Sequence, residues 1–243
     1  MHLYVVTHKE SDFLPEGRIF IGVGNNKNIK NVFIYDDTHE NISYKNSNYC
    51  ELTALYWMWK NDHSSIVGLE HYRRFFCKKF SLFKPKILDV NKIQKIMKTK
   101  DLILPKKAYL NDTVYGQYKL KHFSTDLDLC KSIIKEKYPQ FLKSFDNVMN
   151  RKWFYCYNMV VIKKELLDNY CEWLFDVLQE LEKTVNINDR DEYQKRIFGF
   201  LSERLFNVWI DYLALDYVEY PVFMPNDIPL KSKIKNILKK IIY

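Results

Sequence analysis

Two adjacent arginines, Arg73 and Arg74, stand just beyond the apolar run Ser65-Ile-Val-Gly-Leu69, joined to it by Glu70-His71-Tyr72. The twelve residues after Arg74 contain no acid. Guanidinium groups donate paired hydrogen bonds to phosphate oxygens and offset their charge, so this placement suits a phosphate-bearing ligand. Open α/β sheets bind ligands beyond the carboxyl ends of their strands. The other groups in comparable positions are Thr7-His8, Asp36-Asp37, Pro105-Lys-Lys107 and the vicinity of Asn158. Ordinary roles compete at each place. His71 could hydrogen-bond within a core, the arginines could pair with surface acids, and Asp36-Asp37 could form a turn. Asp126-Leu-Asp128 has the form of a metal-binding DxD, but it falls where a helix starts, and N-capping explains it more simply. Gly22-Val-Gly24 lacks the third glycine of a dinucleotide fingerprint, and there is no Walker loop. Ser-His-Asp and Cys-His nucleophile arrangements have no local signature.

These groups need elements to position them. Leu3–Thr7, Val32–Tyr35, Ser65–Leu69, Leu102–Leu104 and Phe154–Ile162 read as strands, short and rich in β-branched residues. In Cys50–Trp59, Leu52, Leu55, Tyr56 and Trp59 recur at i, i+3, i+4 and i+7, the mark of a core-facing helix. Asn48 with Glu51 three residues on resembles a capping box at its start. Helices are also expected at Val90–Met97, from about Asp126, at Lys164–Thr184 and at Asp191–Tyr212. Strands alternating with helices predict an α/β sheet with parallel character. Glu203 shares a helical face with Glu192, Arg196 and Gly199, where solvated ion pairing is the plain reading. Trp57, Trp59 and Trp153 are the right type to stack on a sugar, yet large aromatics at helical spacing more often fill a core.

The chain has 243 residues, 16% aromatic and 47% hydrophobic, which excludes a disordered polymer and allows one sizeable core. Its net charge of +8 is local. Six basic residues (Arg73, Arg74, Lys78, Lys79, Lys84, Lys86) fall in one acid-free stretch and five lysines in residues 231–243. Removing those eleven from 38 Lys and Arg leaves 27 against 30 acids. A broad nucleic-acid coat is therefore disfavoured, and no nucleic-acid partner is expected. Ile234, Ile237, Leu238, Ile241 and Ile242 form one helical stripe among lysines. That suits either a helix on an anionic membrane surface or one docked on its own domain, and the lysines favour the membrane. Five scattered cysteines with no CxxC pair, and an N-terminal apolar run too short for a signal peptide, predict a cytoplasmic protein, with peripheral attachment to the inner membrane face through the tail.

Tyr49-Cys-Glu-Leu-Thr-Ala-Leu-Tyr-Trp-Met-Trp-Lys-Asn61 followed by Val67-Gly-Leu-Glu-His-Tyr-Arg-Arg-Phe-Phe76 resembles the hallmark of the DUF4422 family of bacterial capsule and exopolysaccharide glycosyltransferases. Asp36–Asn46, Asn158-Met-Val-Val-Ile162 and Gly199–Trp209 are similar to later and earlier segments of that pattern. The likeness runs in order from about residue 2 to 212. His39 stands where the family usually has Gly, and Phe75-Phe76 where it has Tyr-Phe. The resemblance implies a GT-A-like domain over residues 1–225, a mixed, mostly parallel sheet flanked by helices, with 226–243 as a basic amphipathic tail. It implies transfer of galactofuranose from a UDP-sugar donor to a glycan or lipid-linked glycan acceptor. An inverting transfer needs a base for the acceptor hydroxyl and positive charge on the departing diphosphate. Glu203 is assigned the base, with Asp37 its rival. His71, Arg73 and Arg74 are assigned the diphosphate, and His8, Asp37, Asn41, Asn46 and Asn158 the rest of the nucleotide-sugar site. GT-A enzymes commonly hold Mn²⁺ or Mg²⁺ on a DxD motif after a central strand. Here Glu70-His-Tyr-Arg-Arg74 occupies that place, so side-chain cations are expected to replace the metal, with Asp36 and Asp37 the remaining metal candidates. A noncatalytic phosphate-binding or membrane-adaptor module is the competing class, separated by whether a UDP-sugar is consumed.

Overall fold

The computed structural model describes residues 1–79 and 86–225. The expected amphipathic tail, and Lys84 of the basic stretch, lie outside the described residues. In chain order the strands are β1 (His2–Thr7), β2 (Ile19–Gly22), β3 (Ile34–Tyr35), β4 (Ile66–His71), β5 (Phe75–Lys79), β6 (Lys86–Ile87), β7 (Leu102–Pro105), β8 (Ala108–Tyr109), β9 (Trp153–Phe154), β10 (Val160–Lys163), β11 (Tyr217–Tyr220) and β12 (Val222–Phe223). The helices are α1 (Asn46–Tyr49), α2 (Leu52–Asn61), α3 (Val90–Met97), α4 (Val114–Lys119), α5 (Ser124–Lys137), α6 (Leu142–Asn150), α7 (Lys164–Thr184) and α8 (Ile197–Leu213).

A seven-stranded sheet in the order β11-β7-β10-β4-β1-β2-β3 forms the centre of the described residues. Pairings β1 with β2, β1 with β4, β2 with β3 and β7 with β11 are parallel, while β10 runs antiparallel to both β4 and β7. The fold is thus the mixed, mostly parallel α/β sheet expected. Leu3, Tyr4, Val5 and Val6 of β1 are all buried, and each large aliphatic side chain so buried contributes about 1.5–3 kcal/mol. Gly68 of β4 is required by packing: a Cβ there would lie 2.5 Å from Leu3 Cδ2 and 3.0 Å from Val161 Cγ2. A three-stranded antiparallel sheet, β12-β5-β6, stands beside the main one. Helices α7 and α8 supply much of the apolar core, and α8 packs against α1, α6 and α7. Among the described residues no helix is long and apolar enough to cross a membrane.

Several local expectations are corrected. The strand expected at Val32–Tyr35 is paired only at Ile34–Tyr35. The helix expected from Cys50 is broken there: Cys50 has φ +53, α1 ends before it and α2 starts at Leu52. The capping box does not form, because Asn48 Nδ2 donates to the Lys195 carbonyl (3.0 Å) and Glu51 turns to Asn158 (2.7 Å). Phe154–Ile162 is two strands separated by Tyr157 (φ +80) and Asn158 (φ +50). The last long helix begins at Ile197, after a short 3₁₀ turn at Gln194–Arg196. Asp126 sits inside the first turn of α5 and takes both Arg190 Nη groups at 2.7 Å, an ion pair rather than a cap. Trp57 and Trp59 do serve the core: Trp57 is buried, and Trp59 stacks on Phe175 at 5.7 Å. His39 has φ +51, the left-handed region a glycine enters without strain.

Candidate active site

Thr7 and His71 end two adjacent parallel strands, and a cavity of about 870 Å³ opens beyond them. Reversal of β10 matters here. Its register pairs Val160 with Leu69, so the residues before β10 arrive beside the carboxyl end of β4. His71 Nε2 accordingly meets the Tyr157 carbonyl at 2.6 Å. The α8 helix forms the facing wall with Gly199, Phe200, Glu203 and Arg204.

A tight turn after β4 aims the arginines. Arg74 N donates to the His71 carbonyl (2.8 Å), and the Arg74 guanidinium lies 4.5 Å over the Tyr157 ring. Its Nε is buried without a hydrogen-bond partner. Arg73 lies 5.1 Å over the Tyr72 ring. Arg196 reaches the same cavity, its Nε donating to Cys50 Sγ at 3.2 Å. Among the described residues none of these three arginines forms an ion pair, so their charge is available to an anion. The field is felt by the histidines. Burial, then the charges of Arg73, Lys9 and Arg196, pushes His8 down. Burial together with Arg74 and Arg73 takes His71 to about 3 against the pull of its bond to Tyr157. His71 is therefore neutral at physiological pH and adds no positive charge to the site, contrary to its assigned share in offsetting the diphosphate. It orders the Tyr157 backbone instead.

Two carboxylates face these cations. Glu203 Oε1 accepts the Tyr157 amide (2.9 Å) and Oε2 accepts Arg204 Nη1 (3.0 Å), while its side chain stays 21% exposed. Burial pushes its carboxyl above the usual range, Arg204 opposes this and Glu51 adds to it. Glu51 Oε1 accepts Asn158 Nδ2 at 2.7 Å, and burial raises its carboxyl too, against Asn158, Arg196 and Arg74. Asn158 thus stands behind the cavity, tying Glu51 to α8 through Ser202 Oγ (2.9 Å).

The cavity brings together His8, Asn46, His71, Arg73, Arg74 and Glu203 from the expected set. Asn46 also braces the break at Cys50, donating to the Cys50 carbonyl (2.8 Å) and Thr53 Oγ1 (3.0 Å). Asp37 and Asn41 are not brought in. Asp37 is 44% exposed and paired with Lys27 at 2.9 Å, and Asn41 Nδ2 bonds the Asp37 and His39 carbonyls, closing a surface turn. Asp37, the rival base, accordingly stands outside the residues that line this cavity.

The donor set also does not fit a divalent cation. Asp36 is fully buried, with one oxygen on Ser43 Oγ (2.7 Å) and the other without a partner, while Asp37 points to Lys27. Glu70, at the place of a DxD, is buried between Arg18 Nε (3.0 Å) and the Phe76 amide (2.8 Å). Among the described residues no three His, Cys, Asp or Glu side chains converge as ligands.

Glu51, Arg196 and Arg204 are the residues that sequence reasoning missed as site members. The Asn-x-x-Glu spacing pointed to a cap, and Arg204 adjoins Glu203 with no spacing signal of its own. Arg196 shares a helical face with Glu203 in the sequence pattern, which was the one available hint.

A family model described as "Domain of unknown function (DUF4422)" matches residues 2–213. The chain belongs to that family. A solved structure, the apo form of the WbbM bifunctional glycosyltransferase, is similar with a TM-score of 0.81 at 28% identity over 92% of this chain. The match covers 45% of that protein, so this chain corresponds to less than half of its length. No curated protein matches the chain. The likeness extends the sheet order and the reversed strand to the GT-A-like fold expected for the family.

Proposed function

We propose that the chain is a glycosyltransferase that moves a sugar, galactofuranose as the favoured reading, from a UDP-sugar to a glycan or lipid-linked glycan acceptor in the building of a bacterial capsule, O-antigen or exopolysaccharide. Membership of the family and likeness to a protein titled a bifunctional glycosyltransferase support it. The observation that carries it is Glu203, held by the Tyr157 amide and Arg204 in a cavity where Arg73, Arg74 and Arg196 form no ion pair among the described residues.

In this reading Glu203 removes the acceptor hydroxyl proton as the oxygen attacks the anomeric carbon. The bond from that carbon to the diphosphate oxygen breaks, and UDP departs with the electron pair. A carboxyl pushed above its usual range is a stronger base once ionised, which suits this step. Arg74 and Arg73, with Arg196 across the cavity, offset charge developing on the diphosphate. These cations serve where other GT-A enzymes use a metal. Val6–Lys9 and Asn46 line the part of the cavity next to β1 and β2, which suits the nucleoside. Residues 1–225 make up the transferase unit, and 226–243 hold it at an anionic membrane surface where a lipid-linked acceptor is presented.

Thermal-shift screening against UDP-, GDP- and CMP-sugars, followed by product analysis with the stabilising donor, tests the reading. Stabilisation by a UDP-sugar and its consumption with an added glycan are expected. Binding without consumption would favour the noncatalytic module.

A further inference from the structure

Beyond Glu203 the cavity wall changes character. The segment after α4 and the turn before α8 meet there: Gln194 Nε2 donates to the Lys121 carbonyl (2.8 Å), and Gln194 Oε1 lies 3.2 Å from His122 Nδ1. His122 stacks on Phe200 at 4.2 Å, and Tyr193 packs on both, 5.8 Å from His122 and 5.0 Å from Phe200. Tyr193 is nevertheless 51% exposed. Of the nine large hydrophobics exposed among the described residues, Leu120 (79%), Phe123 (50%) and Tyr193 lie on these two joined segments, and Tyr193 is the one of the nine that lines the cavity.

We infer that Tyr193, buttressed by His122 and Phe200, is the stacking platform for a carbohydrate ring of the acceptor. The inference rests on the transferase reading of the same cavity. Sugars present a C–H face that packs on an aromatic ring and a rim of hydroxyls that both donate and accept hydrogen bonds, and the wall offers both. Gln117 Oε1 is taken by Arg204 Nη2 (2.7 Å), which leaves its NH₂ group to donate. Because the Gln194 amide is oriented by Lys121, its oxygen faces His122, whose Nδ1 carries the proton. Burial keeps that imidazole below its ordinary value, so its Nε2 is an acceptor. A nucleobase is the other flat ring that such a shelf attracts. Placement argues against it: the shelf is built by helix ends on the wall opposite β1 and β2, and its exposure suits a chain that continues out of the cavity.

Saturation-transfer NMR with methyl β-D-galactopyranoside, methyl β-D-galactofuranoside and lactose as probes tests this, with UDP affinity measured by calorimetry on the same samples. In the wild type and in Tyr193→Phe, saturation should reach the ring C–H protons of at least one glycoside. In Tyr193→Ala the glycoside affinity should fall roughly ten-fold, the size of one lost ring-face contact, with UDP affinity within two-fold. Equal glycoside binding in Tyr193→Ala, or no glycoside binding in the wild type, overturns the platform. Loss of UDP affinity in place of glycoside affinity also overturns it and puts the base on the shelf. Glycoside binding through Tyr193 in a protein that binds neither UDP nor UDP-sugars would keep the platform and reject the transferase reading.

Discussion

Replacing Arg204 by Met removes the cation that opposes the upward push of burial on the Glu203 carboxyl, while the Met chain fills much of the space of the arginine stem. Arg204 Nη1 is 3.0 Å from Glu203 Oε2, and the Arg204 side chain is 4% exposed. A neighbouring guanidinium lowers a carboxyl pKa by about 1–3 units. Because Glu203 keeps 21% of its side chain in solvent, screening tempers the effect, and loss of the charge raises its carboxyl further. The sign follows from the role. A base with a higher pKa stays protonated to higher pH, so the acid limb of kcat/KM for the acceptor moves to higher pH, with the plateau beyond it retained. Arg204→Lys keeps the charge and should leave the limb within about half a unit. The assay is the pH dependence of kcat/KM at saturating donor, with near-ultraviolet circular dichroism to show that both variants are folded. An unmoved limb in folded Arg204→Met would mean that Glu203 is not the titrating base.

Arg74→Met should lower kcat on the order of 100-fold and weaken UDP binding by calorimetry, since a guanidinium with a buried Nε that has no hydrogen-bond partner would be the main offset to leaving-group charge. Equal kcat would remove Arg74 from that role. Incubation with EDTA should leave initial rates unchanged, and Mn²⁺ or Mg²⁺ should not raise them more than about two-fold, as cations on the chain serve the diphosphate; a rate abolished by EDTA and restored by Mn²⁺ would contradict this. Arg190→Met breaks the double contact to Asp126, whose side chain is 1% exposed, and should cost about 3 kcal/mol in urea unfolding. A change below about 0.5 kcal/mol would mean that the pair is not a strut of the turn before α8.

The alternation of strands with helices was legible, and so was the position of Arg73-Arg74 beyond β4, because strand termini mark ligand sites in open α/β sheets. Glu203 was legible as a candidate through its family segment. What escaped depended on backbone turns that residue types do not announce. Cys50 with φ +53 carries no glycine to signal a break, and the break is what lets Glu51 turn to Asn158 instead of capping a helix. Asn158 did carry a weak signal, since Asn tolerates the left-handed region, but the apolar run on either side of it read as one strand. Asp37 misled for the opposite reason: its place after β3 fitted the strand-end rule, yet its neighbour Asp36 took the inward direction and left it with Lys27. In the cluster, Tyr193 and Phe200 are seven residues apart on one stretch, but nothing in the sequence announces that His122, from a segment some seventy residues earlier, joins them.

The most direct test is transfer by Glu203→Gln with a UDP-sugar donor and glycan acceptor, read alongside donor affinity. Gln keeps the shape and an oxygen to accept the Tyr157 amide, but cannot take a proton. Donor binding should stay within about two-fold while transfer falls on the order of 100-fold to 10,000-fold, the range for loss of a positioned base. Transfer retained at most of the wild-type rate would contradict the assignment of Glu203 and leave Glu51 as the carboxylate to test in its place.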